Sequence, residues 1–388
     1  MATGPTTPRG VILGVDFGTC TSSAAAFING RIELVLDGGD SVIPSVVYFP
    51  EHGDPVVGQR ALVQRITEPA HTVVSIKRVL GRSIGDREIK LIDANVGYRF
   101  KSGPGQMAIL SVRSTDYAPA QIAGLILDRI RTLAEKRFGA VSEVVLAVPA
   151  QASAQYKNAV TRAAQLAHLK IREFIPEPLA GALALGALHS SGERRIAICD
   201  FGGGTFDVTL VAQKGADFTP LAVHGDSWLG GDDFDEALAT AVASHVFHTC
   251  RVEMQRDVVR WRELVMRCES IKRQLSDHPE AVLTMKDFAV LGGKSCDLRL
   301  PVARAWAETA FTPLVERAVD VLREMFRQLD VRPAEIDEVL LIGGTSQIPL
   351  VQRALSDYVG RAVRTSKGAE VAVAAGAATK PAVTMNVK

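Results

Sequence analysis

The chain has 388 residues, a length that suggests two or more domains. Of these residues 47% are hydrophobic and 22% are charged, a composition that excludes a disordered chain. Its 44 Lys and Arg residues nearly balance 43 Asp and Glu residues, so the sequence offers no broad basic face for nucleic acid or an anionic membrane. Its apolar runs are too short to span a bilayer, and its five cysteines show neither disulfide-framework nor zinc-site spacing. We therefore expect a soluble, reduced, cytoplasmic protein.

The first predicted elements form a strand, a turn and a second strand. VILGVD is an apolar run typical of a buried strand, Asp16 heads a turn, and SSAAAF continues extended. The same pattern returns in IAICDFGGGTFDVTLV, where Asp200 stands in the place of Asp16 and the alternation of TFDVTLV is typical of a strand. Both segments therefore predict a hairpin with a glycine-containing turn.

Two further pairs of elements follow the same order. VVLAVP leads into the helical pattern QYKNAVTRAAQLAHL, and VLLIGG later leads into IPLVQRALSDYV. The small-residue helix EPLAGALALGAL is matched by AEVAVAAGAAT near the end of the sequence. Because the three pairs recur in one order at nearly the same offset, they indicate an internal duplication of two related α/β lobes.

The two predicted hairpin turns are candidate phosphate-binding loops. Rossmann and P-loop turns join a strand to a helix, whereas these turns join two strands. Gly202, Gly203 and Gly204 allow backbone amides to approach an anion, and Asp16 and Asp200 suit a hydrated divalent cation. Two such loops, each with Asp and Thr at the same offset, favour one ligand held from both sides.

These motifs resemble the nucleotide-binding domain of the seventy-kilodalton heat-shock chaperone family (DnaK-type), within the actin-like ATPase superfamily. VDFGTCTSS resembles its first phosphate loop, CDFGGGTFDVTL its second, and IPEPLAGALALG its connecting helix. GDSWLGGDDFDEAL follows at the expected distance, ESIKRQLS is similar to the segment that holds adenosine, and LIGGTSQIP to the loop beneath the base. The resemblance covers nearly the whole chain.

The resemblance implies an α/β fold, a duplicated actin-like ATPase with ATP in the central cleft. Each lobe would contain a mixed sheet flanked by helices and an inserted subdomain. Lobe I would comprise residues 1–192 and 365–388, with an inserted subdomain at about 44–116. Lobe II would comprise residues 193–364, with an inserted subdomain at about 231–303 that contains the hairpin MKDFAVLGGKSCDLRL.

The resemblance also assigns roles to individual residues. Lys77 would reach the phosphate site, Glu177 would position the attacking water, and Thr19 would lie near the γ-phosphate. The predicted catalytic residues are Asp16, Lys77, Glu177, Asp200 and Thr205, and the predicted magnesium-water ligands are Asp16, Asp200 and Asp207. The predicted nucleotide-binding residues are Gly18, Thr19, Cys20, Thr21, Gly202, Gly203, Gly204, Thr205, Gly230, Gly231, Glu269, Lys272, Arg273, Ser276, Gly343, Gly344, Thr345 and Gln347.

Each assignment has a purely structural alternative. Lys77 lies in a basic cluster that would suit a solvated face, and Glu177 lies where an acid also suits a helix N-terminus. Glu269, Lys272 and Arg273 have the spacing of a salt-bridged helix face. For Cys20 the alternatives are a redox sensor and a small packing thiol.

Several positions depart from the family pattern. Gln347 stands where an arginine usually packs on the adenine, which predicts weaker nucleotide binding. Ala154 replaces a polar or acidic residue and Lys157 replaces an arginine in a segment that, in the family, takes part in interdomain signalling and co-chaperone contact. The resemblance therefore carries no expectation of coupling to the usual J-domain partner. The sequence ends at TKPAVTMNVK without the acidic linker and peptide-binding domain that the resemblance implies, so it is either one domain of a longer protein or a free-standing ATPase module.

The preferred interpretation is a slow ATP hydrolase whose ATP/ADP cycle, with Mg²⁺ and K⁺ as candidate ions, switches lobe closure in a stress-response chaperone. Its predicted partners are ATP and, through a missing or separate domain, client polypeptides or co-chaperones. We expect neither nucleic acid nor membrane as a partner, and a monomer. The alternatives are a nucleotide-sensing interaction module with negligible turnover, an actin-like filament protein and, with less support still, a small-molecule kinase.

Overall fold

The computed structural model of the chain describes residues 10–186, 192–215, 217–291 and 294–385. Its strands are β1 (Val11–Asp16), β2 (Thr21–Ile28), β3 (Arg31–Leu34), β4 (Ile43–Pro44), β5 (Val47–Tyr48), β6 (Val56–Val57), β7 (Thr72–Val73), β8 (Arg99–Ser102), β9 (Ala108–Val112), β10 (Thr115–Tyr117), β11 (Val141–Val148), β12 (Ile171–Pro176), β13 (Glu193–Phe201), β14 (Phe206–Lys214), β15 (Asp217–Asp226), β16 (Glu280–Leu291), β17 (Lys294–Ala303), β18 (Glu338–Ile342) and β19 (Val363–Arg364).

The helices lie between and after these strands. They are α1 (Gln59–Leu62), α2 (Gln64–Thr67), α3 (Arg87–Asn95), α4 (Pro119–Phe138), α5 (Ala154–Leu166), α6 (Glu177–Ala184), α7 (Gly231–Cys250), α8 (Val258–Asp277), α9 (Arg304–Gln328), α10 (Pro349–Val359) and α11 (Ala372–Met385). None of the helices in the described ranges combines the length and the apolar character needed to cross a lipid bilayer.

The chain divides into two units. Unit 1 contains Met1–Ser190 and Glu370–Lys388, and unit 2 contains Ser191–Ala369. Each unit is built around one mixed sheet, and each sheet places one of the two predicted hairpins at its centre.

The central sheet of unit 1 has the strand order β12-β11-β1-β2-β3, with β4 added beside β2. β1 runs parallel to β11 and antiparallel to β2, so β1 and β2 form the predicted hairpin. The small side chains of β2, including Ala24 and Ala25, are fully buried and leave room for a helix on the sheet. Helix α11 lies so close that a Cβ on Gly14 would come within 2.1 Å of the Ala378 amide nitrogen.

The central sheet of unit 2 has the order β15-β14-β13-β18-β19. β13 is parallel to β18 and antiparallel to β14, and β18 is parallel to β19. Strand for strand, this order and these directions repeat those of unit 1. The predicted duplication of an α/β fold is therefore confirmed.

Aromatic packing fixes the two ends of the second hairpin loop. Phe201 ends β13 and Phe206 begins β14; both are fully buried, and their ring centroids lie 4.5 Å apart. Phe234 of α7 packs edge-on against Phe201. Because a buried side chain anchors each end of the loop, residues 202–205 are held between fixed points.

The two small-residue helices of the predicted duplication lie in one unit. α6 and α11, both in unit 1, lie against each other, and Ala180, Ala182 and Ala374 are fully buried. The predicted helix around Gly186 extends in the sequence to Leu188, and its last two residues lie outside the described residues. The predicted hairpin of the second inserted segment is formed by the antiparallel strands β16 and β17.

Candidate functional site

The first hairpin loop, residues 17–20 in unit 1, is held by two buried serines. Ser45 Oγ donates a hydrogen bond to the Gly18 carbonyl oxygen at 2.9 Å and lies 2.8 Å from Ser22 Oγ. Since a hydroxyl has one proton, Ser22 is the donor of the second bond. The Ser45 amide also donates to the Cys20 carbonyl at 2.8 Å. Sequence analysis missed both serines, because nothing in the local pattern links residue 45 to this loop.

Lys77 lies in a short 3₁₀ turn, Ile76–Val79, and its side chain is almost buried. Its Nζ donates to Glu177 Oε1 at 2.7 Å, and the exposed fractions of the two side chains are only 13% and 11%. This burial is not that of a solvated basic face. Glu177 begins α6, so its carboxylate lies in the first helical turn and also pairs with Lys77.

Asp16 interacts electrostatically with the Lys77–Glu177 pair. Burial raises the pKa of Asp16 to about 7; the charge of Lys77 opposes this rise and that of Glu177 adds to it. Burial lowers the pKa of Lys77, but the neighbouring negative charges, that of Glu177 first, more than compensate, so its pKa lies above the ordinary value. The structure therefore brings together three of the predicted catalytic residues, with Lys77 held as a cation.

The second hairpin places two predicted metal-water ligands opposite each other. Asp200 in β13 and Asp207 in β14 are directly paired across the antiparallel ladder. Like charges at directly opposite positions repel each other, and a nearby cation removes that penalty.

Backbone hydrogen bonds hold the second hairpin loop. The Gly231 amide donates to the Gly202 carbonyl at 3.1 Å, and the Asp232 amide donates to the Gly203 carbonyl at 2.8 Å. Thr345 Oγ1 also donates to the Gly202 carbonyl at 2.8 Å. Within the loop the Gly202 amide donates to the Thr205 carbonyl at 2.9 Å. Three predicted binding segments of unit 2 therefore meet at this loop.

Lys272 joins this assembly from α8. Its Nζ donates to the Gly231 carbonyl at 2.7 Å and forms an ion pair with Asp235 at 2.8 Å. Both side chains are nearly buried, and burial raises the pKa of Asp235 to about 7 against the opposing charge of Lys272. Sequence analysis missed Asp235, although Gly231, Asp235 and Ala239 are buried at the i, i+4 spacing of one helix face.

The other predicted adenosine residues make local contacts. Glu269 and Arg273 pair at 3.1 Å with partly exposed side chains, and Ser276 Oγ donates to the Lys272 carbonyl at 3.4 Å. Gln347 ends a 3₁₀ turn, Gly344–Gln347, where its amide donates to the Ser366 carbonyl at 3.2 Å and lies 3.4 Å from Thr365 Oγ1. Their roles in binding a base stay predictions.

The acidic pair of the second hairpin suits Mg²⁺ held through its waters. In the described ranges, no group of three or more His, Cys, Asp or Glu side chains lies together as direct ligands would. Asp200 and Asp207 supply carboxylate oxygens, the ligand type that Mg²⁺ accepts while it keeps most of its waters. The facing pair of Asp200 and Asp207 is the observation that fits a cation best.

Sequence comparison identifies the family. The chain matches the family described as Hsp70 protein over residues 12–387. It belongs to the Hsp70 family. The chain is also similar to the "Chaperone protein DnaK" of Buchnera aphidicola subsp. Schizaphis graminum (strain Sg), with 31% identity over 381 residues that cover 96% of this chain. This match spans 60% of that curated relative.

Within the Hsp70 family, the chain corresponds to the nucleotide-binding domain, and the duplicated sheets agree with the two-lobed actin-like ATPase fold. Members of the family are ATPases. The predicted family and fold class are thus confirmed.

Proposed function

We propose that this chain binds ATP with Mg²⁺ and hydrolyses it slowly to ADP and phosphate, as the nucleotide switch of a DnaK-like chaperone. The observation that carries the proposal is the buried Lys77–Glu177 pair beside Asp16, next to a phosphate-loop hairpin. A buried ion pair alone is weak support for stability, since burial costs both charges their hydration. A bound anion would interact with Lys77, and a water to be positioned would interact with Glu177, so the proposed reaction accounts for both members of the pair.

The chemistry asks for charge stabilisation and positioning more than for a strong base. Lys77 would neutralise charge on the terminal phosphoryl group, and Glu177 would accept a hydrogen bond from the attacking water. The hydroxyls of Thr19 and Thr205 would lie near the same phosphoryl oxygens. Bound Mg²⁺ would supply further charge neutralisation, with its waters held by Asp16, Asp200 and Asp207.

Unit 2 would hold the rest of the nucleotide. The bonds that Gly231, Asp232 and Thr345 donate to the Gly202 and Gly203 carbonyls fix the backbone of this loop before any ligand arrives, which lowers the entropic cost of binding. We propose that α8, through Glu269, Lys272, Arg273 and Ser276, contacts the nucleoside and that the loop from Gly343 to Gln347 lies beneath the base.

The remaining parts of the proposal concern the whole protein. We propose a cytoplasmic monomer whose nucleotide state changes lobe closure, and whose clients or co-chaperones bind through another domain. We also keep the proposed lobe boundaries, residues 1–192 with 365–388 and residues 193–364. Support for the chaperone role comes from family membership and from the similarity to DnaK.

Titration calorimetry tests the binding step. ATP and ADP are titrated into the chain with Mg²⁺ and again with excess EDTA, and phosphate release is followed on the same preparation. We expect saturable ATP binding that weakens in EDTA, with phosphate release that requires Mg²⁺. Binding without release would contradict hydrolysis and favour a nucleotide sensor, and the absence of binding would contradict the whole proposal.

A further inference from the structure

The hydroxyl of Tyr156 is buried and has no hydrogen-bond partner among the described residues. Tyr156 lies in the first turn of α5, where its amide donates to Ser153 Oγ at 3.1 Å and so fixes the start of the helix. Tyr98, a buried tyrosine of unit 1, shows the usual arrangement, since its hydroxyl donates to the Val74 carbonyl at 2.7 Å. An unsatisfied buried hydroxyl is rare and calls for a partner.

The backbone brings Tyr156 next to the turn that carries Lys77. The turn that carries Lys77 ends near Gly81, whose φ is +73°. A Cβ on Gly81 would come within 2.7 Å of the Gln155 carbonyl carbon and 2.8 Å of the Tyr156 amide nitrogen. Glycine therefore allows the Lys77 turn to lie directly against the first turn of α5.

The charges of the cluster reach Tyr156 as well. Burial raises the pKa of the Tyr156 hydroxyl, the charge of Lys77 opposes the rise, and the charges of Glu177 and Asp16 add to it. The hydroxyl therefore keeps its proton at neutral pH and is available as a donor. The charges of both carboxylates act on the hydroxyl, yet among the described residues it donates a hydrogen bond to neither.

We propose that Tyr156 is a further catalytic residue, whose hydroxyl donates a hydrogen bond to an oxygen of the terminal phosphoryl group of ATP. A neutral donor beside the Lys77 cation suits an anionic oxygen, and a preorganised donor stabilises the charge that develops there. This inference rests on the proposed function and adds a residue to it. An aromatic residue four positions before the buried Val160 would otherwise be read as part of the apolar face of α5.

The test compares Tyr156→Phe with Tyr98→Phe, since each substitution removes one buried hydroxyl from unit 1. Thermal unfolding is measured without nucleotide, with ADP and with ATP, and ATP turnover is measured in parallel. For Tyr156→Phe we expect turnover to fall about 10- to 100-fold, the effect of losing one hydrogen bond to a charged group. The extra thermal stabilisation by ATP over ADP should shrink, while the nucleotide-free melting temperature stays the same or rises. Tyr98→Phe should lower the nucleotide-free melting temperature and leave the difference between ATP and ADP unchanged.

Three results would overturn the inference. The first is wild-type turnover in Tyr156→Phe with an unchanged difference between ATP and ADP. The second is a loss of nucleotide-free stability that accounts for the lost turnover, which would make the hydroxyl structural. The third is a wild-type chain that responds to neither nucleotide, which would contradict the proposed function as well. A wild-type chain stabilised by ATP without turnover contradicts hydrolysis alone, and the comparison of ATP with ADP in Tyr156→Phe then still decides.

Discussion

The two central hairpins have the same strand order and directions, but their loops are held in different ways. In unit 1, residues 17–20 are fixed by the hydroxyls of Ser22 and Ser45, and the neighbouring groups are charged. In unit 2, residues 202–205 are fixed mainly by backbone amides from the N-terminus of α7. Unit 1 thus has a buried ion pair near its loop, whereas unit 2 holds its loop mainly by backbone hydrogen bonds.

The difference indicates how a duplicated fold divides its work. Backbone amides at a turn can bind an anion with any side chains, so the hairpin alone does not distinguish the two copies. What distinguishes the copies is the charge added from distant parts of the chain, Lys77 and Glu177 in unit 1 and Lys272 and Asp235 in unit 2. We infer that the ion pair of unit 1 contributes mainly to turnover and that the ion pair of unit 2 contributes mainly to nucleotide affinity.

Removing Lys77, the lysine of the buried ion pair in unit 1, should have the largest effect on turnover. Lys77→Ala removes the cation proposed at the terminal phosphoryl group, so we expect turnover to fall about 100-fold or more while ATP affinity changes little. Steady-state phosphate release and a binding titration measure the two effects. The control is Lys170→Ala, because Lys170 also pairs with a carboxylate, Glu143, at 2.7 Å but is 74% exposed. Normal turnover in Lys77→Ala would refute the assignment of the lysine.

The single glycine of the first loop should be less replaceable than the first glycine of the second. A Cβ on Gly18 would come within 2.0 Å of the Thr21 carbonyl oxygen, whereas a Cβ on Gly202 finds its nearest neighbour at 3.6 Å. We expect Gly18→Ala to lower the free energy of unfolding by about 3 kcal/mol. Gly202→Ala should change it by less than about 1 kcal/mol. Urea unfolding measures both, and equal losses would show that the loops are equally constrained.

Breaking the ion pair of unit 2 should weaken affinity more than turnover. Asp235→Asn releases Lys272, which holds the Gly231 carbonyl, so we expect ATP affinity at pH 8 to fall about tenfold. The rate at saturating ATP should stay close to that of the wild type. A fall in that rate with unchanged affinity would reverse the roles of the two units.

The same variant should also change how the free energy of unfolding depends on pH. The folded-state pKa of Asp235, raised to about 7 by burial, exceeds that of an unfolded aspartate, so ionisation opposes folding. The free energy of unfolding should therefore fall as pH rises from about 4 to about 7, by at most about 1.4 kcal/mol per pH unit from this group. Asp235→Asn should remove that part of the slope, and an unchanged slope would mean that Asp235 does not titrate there.

The smallest effect concerns the base. Gln347→Arg loses the hydrogen bond from the side-chain amide to the Ser366 carbonyl but restores a guanidinium at the position predicted to lie beneath adenine. We expect ATP and ADP affinity to rise about fivefold, the equivalent of about 1 kcal/mol. Calorimetry measures this change. Unchanged affinity would mean that the base is held differently.

The hairpins and the duplication were predictable, because alternation, glycines and apolar runs act over a few residues. The Lys77–Glu177 pair joins residues 100 positions apart in the sequence, so only the family resemblance placed its members at one site. The sequence did not predict Ser45, Asp235 and Tyr156 as site residues for the same reason, because their importance depends on which distant backbone packs beside them. Asp235 is one of three acids in GGDDFD, and only the buried helix face separates it from the exposed Asp232. The proposed subdomain limits at about 44–116 and 231–303 stay predictions.

The central claim is that the chain hydrolyses a nucleotide that it also binds. Single-turnover hydrolysis of γ-labelled ATP with Mg²⁺, on a preparation whose ATP affinity has been titrated, tests it most directly. The account predicts one slow exponential release of phosphate that reaches the bound fraction of ATP. Saturated binding with no labelled phosphate released above the blank would contradict it.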